Sequence, residues 1–236
     1  MIHVDGNTNA GSTNWNDLYK IGAWASIAML VLIPIHILVF VISPPPATVE
    51  EFFTLFQKNW LLGLLSLDLI YILNNILLSL IYLALYQALK QTHAALMTVA
   101  LMLGLLGIAA YFSSNPAFEM LSLSRQYAAA ADATQQTILL AAGHSQLASF
   151  TGTAFDVYYV LNGVTLLVLA WVMLRSPLFS KATAWWGLAS GILMMIPSSA
   201  GMLGMVFALA SLAPWVVFLV LVMRRLWVMG KEKPLQ

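Results

Sequence analysis

Apolar residues run along this chain in six long blocks, at positions 21–42, 61–89, 94–112, 150–174, 182–196 and 205–227, with polar or proline-bearing stretches between them. A helix needs roughly 20 apolar residues to cross hydrocarbon. The pattern therefore predicts an all-α integral membrane protein, a six-helix transmembrane bundle. The fifth block is the shortest, and Pro197 either kinks or ends it. Pro34 and Pro214, inside the first and last blocks, predict bends.

Two of the blocks carry nearly the same polar phrase. "DLIYILNN" occupies 68–75 and "DVYYVLNG" occupies 156–163, each an Asp followed three and six residues later by Tyr and Asn. At 3.6 residues per turn, Asp68, Tyr71, Asn75, Ser79, Tyr82 and Tyr86 share one face of the second span. The same projection groups Ser149, Gly152, Asp156, Tyr159, Gly163 and Ala170 on the fourth. Unpaired polar groups are too costly to leave in lipid, so both stripes should face other helices or water. The small residues of the second stripe permit close backbone approach. Aligned with the connections "SPPPATVE", "SNPAFE" and "PSSAG", the phrase suggests three tandem helical hairpins, the third without the acid. Chance matching in so plain an alphabet is the competing account.

Composition narrows the class. Hydrophobic residues make up 61% of the 236 and charged residues 8%, where a water-exposed domain carries about 25% charged. Ten basic against nine acidic residues provide no surface for nucleic acid. The absence of cysteine excludes disulfides, iron–sulfur clusters and thiolate zinc sites. The first block is too long for a signal-peptide core and follows a polar start with a single Lys, so it should remain as a span.

Charge also predicts sidedness. With six spans, Lys20, Lys90, Arg175, Lys181, Arg224, Arg225, Lys231 and Lys233 fall on one side, and Lys58 and Arg125 on the other. Basic loops stay in the cytoplasm, which predicts cytoplasmic termini (1–20 and 228–236) and extracytoplasmic connections at 43–60 and 113–149. Trp171, Trp185, Trp186 and Trp227 flank the basic ends, as an interfacial belt would. In the first connection, Thr48 and Glu51 have the spacing of a capping box. Phe52, Phe53, Leu55 and Phe56 then suit a helix lying in the membrane interface. In the second connection, Asn115 should cap a helix with Pro116 at its first position. Glu51, Glu119 and Asp132 read as helix-start electrostatics.

Asp68 lies eight residues beyond Trp60, about 12 Å along a helix. Asp156 falls at a comparable level ahead of Arg175, and His36 shares it. A charged side chain at depth costs about 2.5–3.5 kcal/mol on insertion scales, so a function is the default expectation. The favoured site is an outward-facing pocket for binding or passage of a small polar solute or cation. Asp68 and Asp156 would be its charged determinants, with Tyr71, Asn75, Tyr159 and Asn162 as hydrogen-bonding partners and His36 beside them. Asn162 lies off the straight-helix stripe and enters through the repeat alone. The competing account is structural: these groups hold the bundle together, or serve a protein partner, with no small ligand.

An enzyme reading is weaker. A metal-dependent enzyme would draw on His36, Asp68, Asp156 and His144 as ligands, but no H-E-x-x-H, G-x-S-x-G or G-x-x-x-x-G-K motif occurs. His3, His36, His93 and His144 stand singly, and no metal or cofactor is expected. Met194, Met195, Met202 and Met205 surround "PSSAG" without forming a row, and read as gap-fillers.

The stretches "LSRQYAAAADATQQTILLAAG", "GTAFDVYYVLNG", "VMLRS" and "KATAWWGLASGIL" resemble a bacterial family of small polytopic membrane proteins, the domain of unknown function 4386 family. The likeness covers about 121–227 well and the first half more loosely. It implies some six membrane helices in a bacterial inner membrane, with the lipid bilayer as partner. It carries over no substrate, reaction, cofactor or functional residue.

Overall fold

A computed structural model describes residues 15–232. Most of the polar segment ahead of Lys20, with His3, lies outside those residues, as does Lys233 of the tail. Among the described residues every regular element is helical: α1 (Asn16–Ile42), α2 (Val49–Lys58), α3 (Trp60–Ser66), α4 (Leu69–Ser114), α5 (Ala117–Ala129), α6 (Ala133–Phe150), α7 (Thr153–Arg175), α8 (Lys181–Leu193) and α9 (Gly201–Met229).

Four helical stretches, Asn16–Ile42, Leu69–Ala129, Ala133–Arg175 and Gly201–Met229, are long and apolar enough to cross a membrane. They leave large apolar side chains bare, among them Val41 (71%), Leu209 (68%) and Met202 (79%). Water would penalise so broad an apolar surface, and lipid accepts it. The chain has the build of a membrane protein.

α4 is a hairpin written as one element. His93 adopts a non-helical backbone (φ −159°, ψ 86°), and its Nδ1 accepts from the Leu96 N–H at 3.3 Å, capping the arm that follows. Gly104 of the second arm lies against the ring of Tyr82 in the first. These two residues are equally far from His93 in sequence, so the arms double back on each other.

The expectation of one continuous helix over 61–89 is corrected. α3 stops at Ser66 and α4 starts at Leu69, with Asp68 between them in the left-handed region (φ 60°, ψ 32°). Asp is among the few side chains that tolerate this region. A broken helix frees carbonyls that need donors, and the second arm of α4 brings them. Asn115 Nδ2 donates to the Leu67 carbonyl at 2.7 Å; the Asp68 carbonyl already accepts from the Tyr71 N–H at 2.8 Å, and the Tyr111 hydroxyl adds a longer contact to it at 3.5 Å. Asp68 is therefore the N-cap of α4 and not a mid-helix residue. Similarly, α6 ends at Phe150 and α7 begins at Thr153, so Ser149 does not share a helix with Asp156. Both copies of the repeated phrase begin where a helix begins.

Smaller differences follow local chemistry. The Thr48–Glu51 capping box forms as expected. Asn115 Oδ1 does accept from the Ala117 N–H at 3.1 Å, but Pro116 occupies the cap position, one residue earlier than expected. α8 closes at Leu193, ahead of Pro197, and Gly201 opens α9 with φ +67°.

Two cores result. The larger joins α1, α4, α7, α8 and α9 through residues such as Met29, Leu85, Leu166 and Phe218. The smaller packs Phe52, Phe53 and Phe56 of α2 against Leu64, Ala117 and Met120, so the aromatic face expected to lie in the membrane interface is spent on the protein's own core. Opposite this cap, Lys90 sits 5.3 Å from the Trp15 ring, Asn16 donates to the Glu232 carbonyl at 2.6 Å, and His93 lies 6.1 Å from Trp171. The start of α1, the bend of α4 and the ends of α7 and α9 thus meet at one basic end of the bundle.

Candidate functional site

A cavity of about 120 Å³ opens between the first arm of α4, α7, α1 and α9. That is room for a guest of about one small ring. α4 contributes Tyr71, Asn74, Asn75 and Tyr82, and α7 contributes Tyr158, Tyr159 and Asn162. Met29 and Ile33 of α1, Met194, and Leu212 and Trp215 of α9 complete an apolar wall, with the Ser211 hydroxyl of α9 beside them. The helical period explains the first set: Tyr71, Asn75 and Tyr82 recur at the spacing of one face.

The polar groups are ordered by bonds across helices. The Tyr82 hydroxyl donates to Asn162 Oδ1 at 2.8 Å, while Asn162 Nδ2 donates to the Tyr158 carbonyl at 2.9 Å. The Tyr158 hydroxyl donates to that of Tyr71 at 3.3 Å. Asn75 Nδ2 donates to the Tyr71 carbonyl at 3.1 Å, within its own helix. Among the described residues that line the cavity, one fully buried side-chain atom has no hydrogen-bond partner, Asn74 Oδ1, on a residue only 5% exposed.

Two glycines make the central bond possible. A Cβ on Gly104 would come 2.6 Å from the Tyr82 ring, and one on Gly107 would come 2.4 Å from Asn162 Nδ2. No side chain fits at either position without displacing the Tyr82–Asn162 pair. The second arm of α4 thus presses bare backbone onto the bond that joins the first arm to α7.

The structure brings Tyr71, Asn75, Tyr159 and Asn162 to this one cavity and leaves the charged candidates out of its lining. Asp68 lies at the helix break with its carboxylate 3.5 Å from His36 Nε2, both side chains about four-fifths covered. Asp156 sits in the first turn of α7, where an acid suits the helix dipole, and it accepts from the Ser199 hydroxyl on the turn before α9. His144 is exposed on α6. Among the described residues no three His, Asp or Glu side chains come together as metal ligands. Of the set His36, Asp68, Asp156 and His144, the structure pairs His36 with Asp68 and no more: Asp156 is engaged by Ser199, and His144 lies exposed on α6.

Asn74, Tyr82, Tyr158 and Trp215 were missed as site residues by the sequence reading. Asn74 had a usable signal: it, and not Asn75, is the Asn six residues after the Asp in the first copy of the phrase, matching Asn162 in the second. Tyr82 stood on the polar stripe. Tyr158 and Trp215 carried no signal in an aromatic-rich chain.

The model of a domain of unknown function, DUF4386, matches residues 18–229. The chain belongs to the DUF4386 family. That match takes in every cavity residue of this DUF4386 chain, from Met29 to Trp215. No curated protein and no solved structure matches it.

Proposed function

We propose that this DUF4386 protein crosses a bacterial inner membrane six times with both termini in the cytoplasm, and that its cavity binds a small polar solute, at rest or in passage. The crossings would be α1, the two arms of α4, α7, α8 and α9. The doubling back of α4 at His93 supports counting it twice. α8, at 13 residues, rises only about 20 Å, and the turns that follow it complete that crossing. The gathering of Lys90, Lys231 and their Trp partners at one end supports a cytoplasmic face there.

One observation carries the binding reading. The Tyr and the Asn of both copies of the repeated phrase (Tyr71 and Asn74, Tyr159 and Asn162) line a single cavity. Two helices would not each spend a phenol and an amide on one hollow for packing alone, since interhelical polar bonds in membranes are worth only about 0.6 kcal/mol each. A structural role remains the second reading for the acids. The His36–Asp68 contact and the Ser199–Asp156 bond join separate elements and support Asp68 and Asp156 as fasteners.

The test is to purify the chain in native-membrane discs and extract small molecules from it, beside Ala208→Phe, which fills the cavity from α9. A solute retained by the first and absent from the second, with equal thermal stability, is the expected result. Identical extracts would remove the reading.

A further inference from the structure

We infer that the guest of the cavity is an uncharged molecule with an apolar body and at least one hydrogen-bond donor, received by Asn74 Oδ1. This rests on the cavity being a binding site and specifies what it takes.

The first argument is charge. Among the described residues, the lining contains Tyr, Asn, Ser and apolar residues, and no Asp, Glu, Lys, Arg or His. An anion would find no cation there and a cation no carboxylate, and an unpaired ion is among the costliest things to bury. Asp68 and Asp156 have other neighbours, in His36 and Ser199.

The second argument is an account of hydrogen bonds. The hydroxyls of Tyr82 and Tyr158 are engaged with Asn162 and Tyr71. Asn75 and Asn162 each donate to a backbone carbonyl, and Ser211 donates to the Ala208 carbonyl at 2.7 Å. Among the described residues, Asn74 Oδ1 is the one fully buried, partnerless side-chain atom carried by a residue of the cavity lining. It is an acceptor. A buried acceptor without a donor costs about 1–3 kcal/mol, and a guest bearing N–H or O–H removes that cost.

The third argument is shape. Met29, Ile33, Leu78, Leu166, Leu212 and Trp215 surround the polar cluster. A fully hydrated guest such as a sugar would leave most of its hydroxyls facing these side chains. An alcohol, phenol or simple amide with a hydrocarbon body matches both walls.

The experiment is equilibrium dialysis into lipid nanodiscs of five probes: phenol, anisole, toluene, benzoate and benzylammonium. Retention is read as the native chain minus the Ala208→Phe chain, which subtracts partition into lipid. Phenol should bind at least about tenfold more tightly than anisole or toluene, since a site built to pair a polar group discriminates strongly against guests lacking it. Asn74→Leu should erase that preference. If this variant does not fold, the comparison of probes on the native chain still decides. Equal retention of phenol and toluene overturns the need for a donor while leaving binding in place. A preference for benzoate or benzylammonium overturns neutrality. Retention of no probe above the Ala208→Phe chain overturns the binding site itself.

Discussion

The Tyr82 hydroxyl donates to the Asn162 amide oxygen across 2.8 Å, with Tyr82 4% and Asn162 1% exposed. This bond links the first arm of α4 to α7, and it lies beneath two glycines of the second arm whose missing side chains make its room. One polar contact thus ties two helical segments, with a third packed over it, and forms part of the cavity wall.

Tyr82→Phe removes the donor and keeps the ring. It should lower stability by about 1 kcal/mol, between the modest average for interhelical polar bonds and the cost of an orphaned buried acceptor. Asn162→Leu should cost a similar amount. The double variant should cost clearly less than the sum, as expected for residues sharing one interaction. Reversible unfolding in mixed micelles measures all three, and strict additivity would mean that the bond contributes nothing.

Asp68 is left-handed at the entrance to α4. Its backbone predicts the ranking of substitutions better than its charge does. Asp68→Gly should be tolerated and Asp68→Asn nearly so, whereas Asp68→Val should cost about 1–2 kcal/mol because a β-branched side chain clashes there. Hydrogen exchange across 66–72 should quicken only in the Val variant. Equal protection in all three would detach the break from the fold.

The chain has no native cysteine, so single introduced thiols report sidedness cleanly. Lys58→Cys and Arg125→Cys should react with a membrane-impermeant maleimide in intact spheroplasts, and Lys181→Cys only after lysis. Labelling of Lys181→Cys in intact spheroplasts would invert the proposed topology.

Much of the helical scaffold was legible because lipid imposes one rule on every segment. A backbone in hydrocarbon must bond to itself, so long apolar blocks become helices. Blocks 94–112 and 205–227 correspond to the second arm of α4 and to α9 with only small shifts at their ends. The capping box at Thr48 was equally plain, since its bonds are local. The interruption at Asp68 was not legible. Nothing near Leu67 forbids helix, and the donor to its freed carbonyl, Asn115, comes from the far end of the hairpin. Apolar periodicity carries no record of a partner some forty residues away.

The site divides along the same line. The repeated phrase marks Tyr71, Tyr159 and Asn162, because a polar residue in an apolar block stands out against its neighbours. It could not say which polar groups meet. Sequence by itself determined that this chain is helical, apolar and suited to lipid, and which few residues break that monotony, since these follow from local transfer energies. Only the tertiary structure decided that the phenols and amides share one hollow, that the two acids lie outside its wall, and that Asn74, in that wall, carries a buried oxygen without a partner. Hydrogen-bond pairing depends on where helices cross, and crossing is settled by packing between segments distant along the chain.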